Sequence, residues 1–181
     1  MIDLANKRFV ILGLQGCGKT ELAKYLLRKA EHHFVYDVLD EYEGFTRYVP
    51  TDRNNKDELT AVIQKLVLVK VKPSLFIVDE ANRFAEPKPR PLPPGLSELN
   101  DWSRHIGLSW GCICRRPTQL HSDMMELAHY LFIFVLKGKN DTQYLDFILP
   151  GLGDMVASLP QYHFAIVTES RSVIIHAPIP L

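Results

Sequence analysis

Gly13-Leu14-Gln15-Gly16-Cys17-Gly18-Lys19-Thr20 satisfies G-x-x-x-x-G-K-[ST] at every specified position. The chemistry that such a run supports is the grip of a nucleoside triphosphate. Glycines let the chain turn tightly enough for backbone N–H groups to point at phosphate oxygens, and a helix starting near Gly18 adds the positive end of its dipole to the same anion. Lys19 has the reach for the β- and γ-phosphates of ATP, and the Thr20 hydroxyl for Mg²⁺. Gly13, Gly16, Cys17, Gly18 and Glu21 complete the nucleotide-binding set, with Cys17 a loop filler of no assigned task.

A second group supplies what the loop lacks. Ser74-Leu75-Phe76-Ile77-Val78 is an apolar run that delivers Asp79-Glu80 at its end. An aspartate there can hold the water shell of Mg²⁺, and an adjacent glutamate can orient and deprotonate an attacking water. The two acids could also be an ordinary strand exit, but beside a well-formed phosphate loop they point to hydrolysis.

The surrounding elements must position both groups. Phe9 to Leu12 reads as a buried strand ahead of the loop, and Leu22, Ala23, Leu26, Leu27 and Ala30 recur at helical spacing behind it. His33 to Val38 reads as a second strand, followed by the acidic run Asp40-Glu41-Tyr42-Glu43 and a loop up to about Asn55. Asn55 and Glu58 mark a helix start with Leu59, Val62, Ile63, Leu66 and Val67 on one face, closed by Pro73. The stretch Glu86 to Gly95 holds five of the twelve prolines and reads as a stiff exposed loop. Ser97 is then expected to open a helix with Leu99, Trp102 and Ile106 on one side. Strands follow at Leu108–Cys114 and Tyr130–Leu136, separated by Arg115 to Gln119 and a short helix around Asp123 to Ala128. Helical turns lie between Thr142 and Leu159, broken at Pro150-Gly151, and a hairpin of Phe164–Val167 and Val173–His176 ends the pattern. Alternating strands and helices predict an α/β fold with a mostly parallel sheet covered on both faces and an antiparallel edge hairpin.

With 181 residues, the chain reads as a single domain over 1–181. Lys+Arg 21 against Asp+Glu 21 excludes a polycation, so any nucleic-acid contact must be local. No apolar stretch is long enough to span a bilayer, and the segment from Met1 to Lys7 lacks a secretion signal, so the expected place is the cytoplasm, without membrane insertion. Cys17, Cys112 and Cys114 are too few and wrongly spaced for disulfides or a four-ligand zinc site, and the last two read as buried strand thiols. His32-His33 reads as a partner of a helix C-terminus rather than a metal pair.

The phosphate loop, the Asp79-Glu80 pair with an extra strand inserted between them, and Gln119 after the next strand resemble the HerA/FtsK superfamily of ring-forming P-loop ATPases that pump DNA. Asp40-Glu41-Tyr42, Arg104-His105-Ile106-Gly107 and Arg116-Pro117-Thr118-Gln119-Leu120 are similar to local segments of its HerA-like branch, which includes small viral genome-packaging ATPases; the likeness spans about residues 7 to 137. The resemblance implies a three-layer P-loop NTPase fold of the ASCE/RecA-like kind and a homo-oligomeric ring, a hexamer, translocating double-stranded DNA with ATP and Mg²⁺. It implies Glu80 as the base, Asp79 and Thr20 as metal partners, Gln119 as a polar sensor in preference to a simple helix cap, and Arg104 as the arginine reaching a neighbour's nucleotide. Arg83, Arg115 and Arg116 compete for that last role, and Lys88, Arg90, Lys137 and Lys139 stand in loops that could line a pore. The N-terminal barrel of large HerA-type translocases has no counterpart here.

Two other readings stand beside this one. A small P-loop kinase of a nucleotide or metabolite would use Lys19 and Asp79 similarly, with Arg83, Arg115 or Arg116 in a lid. A non-catalytic nucleotide switch, or an assembly ATPase like the filamentous-phage morphogenesis proteins, needs no hydrolytic motor. A GTPase is disfavoured, because Gly138-Lys139-Asn140-Asp141 has glycine where guanine recognition wants Asn or Thr before the lysine.

Overall fold

A computed structural model describes residues 3–180; Met1, Ile2 and Leu181, the ends of the expected 1–181 domain, lie outside them. The chain orders its elements as β1 (Arg8–Leu12), α1 (Lys19–Lys29), β2 (His33–Tyr36), β3 (Arg47–Tyr48), α2 (Lys56–Val62), β4 (Leu75–Val78), α3 (Pro94–Trp102), β5 (Ser109–Cys114), α4 (Ser122–Glu126), β6 (Tyr130–Phe134), α5 (Lys139–Ile148), α6 (Leu152–Ala157), β7 (Phe164–Val167) and β8 (Val173–His176). The strands form one sheet in the order β3-β2-β4-β5-β1-β6-β7-β8. All neighbours from β3 to β6 pair in parallel, and β7 and β8 close the edge antiparallel. The expected inserted strand is β5, which separates β1 from β4.

Side chains alternate across each strand, so apolar runs divide between two cores. Val10 and Leu12 of β1 join one cluster with residues of α2, α3, α4, α5 and α6, whereas Phe9 and Ile11 join another with Leu22, Ala23 and Leu27 of α1. Both faces of the sheet are thus covered, one by five helices and the other chiefly by α1. Cys112 and Cys114 are buried free thiols, as the sequence predicts, and burial pushes the Cys114 thiol up to about 12.

Several local expectations are corrected. The two-residue β3, within the expected loop, is held by β2 and by Arg47, whose Nη1 lies 2.8 Å from Asp37 Oδ2. The Asn55 side chain caps α2 at Asp57 N and Glu58 N as expected, but Glu58 turns back to accept from Thr51 N at 2.8 Å and Tyr48 Oη at 3.0 Å. Beyond α2 the chain continues as a π-helix over Ile63–Val71, which no sequence pattern announced. α3 starts at Pro94, inside the proline run, because a first-turn proline gives up only an N–H the helix does not use. Leu99 is buried, but Trp102, the last residue of α3, is exposed, and the chain then tightens into a 3₁₀ turn over Ser103–Ile106 that breaks the helical spacing and leaves Ile106 exposed as well. His33 belongs to β2 and accepts from Thr46 N; the basic residues in the last turn of α1 are Arg28 and Lys29.

Gly111 in β5 stands opposite Phe9, whose ring covers it so closely that an added Cβ would lie inside van der Waals contact. Gly111→Ala is expected to cost about 1–3 kcal/mol. Calorimetry should show a midpoint lowered by roughly 2–4 °C for each kcal/mol.

Candidate active site

Because β1, β2, β4 and β5 are parallel, their C-terminal ends meet at one edge, where open α/β sheets bind ligands. The ladder sets the levels: Leu12 pairs with Cys114 and Val78 with Cys112. Gly13 and Arg115 therefore leave the sheet level with each other, and Asp79-Glu80 leave it beside Arg115, starting two residues lower. A cleft of about 420 Å³ opens there, lined by Gly16, Gly18, Lys19 and Thr20 of the loop, by Asp79, Glu80 and Arg115, and by Glu41.

The loop is seated by what its glycines omit. A Cβ on Gly13 would meet Cys17 Sγ and Phe134 Cβ at 2.6 Å each, and one on Gly18 would meet the Phe134 ring at 3.3 Å. Gly18 has φ 108° and stands directly before α1. Cys17 itself is buried in the core beneath the loop, so its side chain serves packing. Lys19 Nζ donates to Leu14 O at 2.8 Å, closing the loop on itself. The Thr20 hydroxyl lies 3.4 Å from Glu41 Oε2, and Glu21 lines the cleft and pairs with Lys24 at 3.3 Å.

Asp79 is buried and accepts from Glu80 N at 2.9 Å. Burial pushes its carboxyl up to about 7, helped by the charges of Glu80, Glu41 and Asp37. Glu80 sits at φ 47°, a left-handed conformation uncommon for this residue, with Oε1 3.0 Å from Arg115 Nε.

The structure brings together the loop residues, Asp79, Glu80 and Arg115, but not the others. Gln119 is exposed and does not line the cleft, since Arg116 and Thr118 on its turn are both tied to the buried Asp141 at 2.8 Å. Arg104 lies at the opposite end of the sheet, beside Arg8, whose guanidinium is lowered by burial and then by the Arg104 charge. Arg83 donates to Asn54 Oδ1 at 3.1 Å. Lys88 and Arg90 are engaged with Asp123 and Glu86 at 2.7 Å and 2.9 Å, and Lys139 begins α5.

Two contributors escaped the sequence reading. Asp37 is fully buried, accepts from Glu41 N and Tyr42 N at 2.9 Å each, and so presents Glu41 to Thr20. The turn type Asp-x-x-x-Glu-Tyr was its only signal. Tyr162, half-exposed after α6, offers an aromatic wall beside Gly18, and nothing in its sequence neighbourhood points to this role.

No family model matches the chain, and no curated protein does. Among solved structures, the genome packaging NTPase B204 from Sulfolobus turreted icosahedral virus 2, in complex with ATP-gammaS, matches at TM-score 0.84 and 21% identity over 99% of this chain and 100% of that one. The fold is that of a P-loop NTPase. B204 from Sulfolobus turreted icosahedral virus, described as a DNA-packaging ATPase, gives 0.84 and 20% over 98% and 100%. The N-terminal domain of zonular occludens toxin from Neisseria meningitidis gives 0.57 and 14% over 96% and 94%.

Gly13→Ala should push Cys17 and Phe134 apart beneath the loop. A calorimetric titration with ATPγS is expected to show affinity lost by at least about tenfold, the equivalent of 1.4 kcal/mol. Far-ultraviolet circular dichroism should stay unchanged.

Proposed function

We propose that this chain is the ATP-hydrolysing subunit of a homo-oligomeric ring, a hexamer, that translocates double-stranded DNA, as in viral genome packaging. In this reading all 181 residues act as one domain of the HerA-like branch of the HerA/FtsK superfamily. The observation that carries it is the Asp79-Glu80 pair at the mouth of the cleft that Lys19 and Thr20 line, one strand removed from the phosphate loop. The DNA part draws on the B204 likeness, since those proteins are described as packaging enzymes.

ATP would lie with its phosphates over the loop N–H groups, and Lys19 would exchange Leu14 O for phosphate oxygens. Water attacks the γ-phosphorus, the bond to the β–γ bridging oxygen breaks, and ADP and phosphate leave. Glu80 takes the water proton and returns it to solvent. The cleft fits Mg²⁺, because the side chains of Thr20, Glu41, Asp79 and Glu80 that line it offer oxygens. Among the described residues no group of three His, Cys, Asp or Glu stands ready to hold a metal ion, so in this reading the ion would be bound through one carboxylate, one hydroxyl and the phosphates. Held by Thr20 and Asp79, Mg²⁺ would neutralise charge developing on the phosphate oxygens.

Arg104 lies too far from its own cleft to serve it, and is flanked by Trp102 and Ile106, 60% and 54% exposed. That combination suits a face that delivers an arginine to the next subunit while covering apolar surface. The Gln119 turn would have to shift on nucleotide binding to act as a sensor. Among the described residues, no helix is long and apolar enough to cross a membrane.

Lys19→Ala is expected to lower kcat/KM at least about a hundredfold. Glu80→Gln should hold ATPγS but lose about 10²–10⁴ in kcat; undiminished turnover would remove Glu80 as the base. Native mass measurement with ATPγS and duplex DNA should give a six-subunit ring, and duplex DNA should raise the ATPase rate. Ile106→Glu should dissolve the ring while leaving the monomer folded. A ring whose turnover ignores DNA, or phosphate transfer to a small acceptor, would overturn the motor in favour of a switch or a kinase.

A further inference from the structure

Of the two basic groups lining the cleft, Lys19 and Arg115, the hydrolytic cycle above leaves Arg115 without a task. Its Nε lies 3.0 Å from Glu80 Oε1. The pairing of Cys114 with Leu12 puts it beside Gly13, the first residue of the phosphate loop, and its side chain lines the same cleft as Lys19 and Thr20. Arg116, next in sequence, is anchored away on Asp141 at 2.8 Å. Within the pair the burial is unequal: the Glu80 side chain is 10% exposed and that of Arg115 43%. The carboxylate is the fixed partner, and the guanidinium on its long stem is the mobile one. A carboxylate oxygen engaged by a cation is a poor acceptor for the proton of an attacking water, so the pair as it stands holds the base idle.

We infer that Arg115 is a positioning residue that senses the γ-phosphate: it occupies Glu80 while the cleft is empty or holds a diphosphate, and releases it when a triphosphate offers a stronger anion. This rests on the reading of the cleft as an ATP-hydrolysing site. The planar guanidinium matches phosphate oxygens in paired hydrogen bonds, and a γ-phosphate carries more charge than a carboxylate. ADP has no oxygen at that place and leaves the pair intact. Arg115 makes and breaks no covalent bond; it exchanges one anion for another. The proton still passes from water to Glu80 to solvent. Lys19, which donates to Leu14 O, makes the parallel exchange from an internal oxygen to the nucleotide.

The test is a double-mutant cycle on the full chain, with ATPγS and ADP titrated in the presence of Mg²⁺ and thermal midpoints recorded for each variant. E80Q removes the competing charge and should bind ATPγS about threefold to tenfold tighter than wild type; R115A should bind it about tenfold weaker. ADP affinity should stay within about twofold throughout. R115A/E80Q should be no tighter than R115A, because the gain from E80Q exists only while Arg115 is present. R115K, which keeps the charge without the fork, should recover part of the ATPγS affinity, and its pair with E80Q carries the cycle if R115A does not fold. An equal E80Q gain in both backgrounds, or none in either, overturns the role of Arg115 and leaves the ATP site standing. Wild-type protein that binds neither nucleotide overturns the underlying reading instead.

Discussion

The register of three parallel strands is the constraint on which the site depends. With Leu12 level with Cys114, and Val78 level with Cys112, β1 and β5 end on a common line and β4 ends two residues short of it, which brings Glu80 up to that line. A shift of one residue in any of them would turn its apolar set to the wrong face. The same shift would carry Gly13, Arg115 or Asp79-Glu80 out of reach of the others. Core packing and site assembly are therefore one requirement: the alternation that sends Phe9 and Ile11 to one core and Val10 and Leu12 to the other also fixes where the phosphate loop begins.

Packing beneath the loop follows from that placement. Phe134 ends β6 against the loop, and Cys17 fills the space beside it, so the backbone at Gly13 and Gly18 can approach only without side chains. The glycines in the motif thus answer to the core below as well as to a ligand above. That is why a phosphate-binding conformation can persist with Lys19 closed on Leu14 O.

Features set by local pattern were legible in the sequence, and those set by tertiary pairing were not. The apolar strands, the phosphate loop, the Asp79-Glu80 exit and the hairpin of β7 and β8 each announce themselves within about ten residues through periodicity or turn chemistry. β3 has only two residues and exists because Asp37 and β2 hold it. Trp102 ends α3 with its side chain exposed, and the 3₁₀ turn that follows breaks the helical spacing before Ile106, so spacing alone assigns both to the wrong side. Arg115 and Gln119 stand four residues apart in one exit segment. Which of them faces the cleft is decided by Asp141, a partner more than twenty residues downstream that claims Arg116 and Thr118.

Asp37 shows how a buried charge that touches no ligand can shape a site. A carboxylate with no exposed surface must have its lone pairs filled, and here two backbone N–H groups and Arg47 fill them. Those bonds fold the exit of β2 back toward α1 and bring Glu41 against Thr20. The cost of burying Asp37 is thereby offset by a fixed turn, and the turn concentrates acids opposite the loop. Burial and that concentration together raise Asp79. The strand tips accordingly divide by charge: the neighbours β2 and β4 present acids, whereas the neighbours β5 and β1 present Arg115 and, in the loop that follows β1, Lys19. A polyphosphate with its cation complements that division, which neither a bare anion nor a bare metal ion would do.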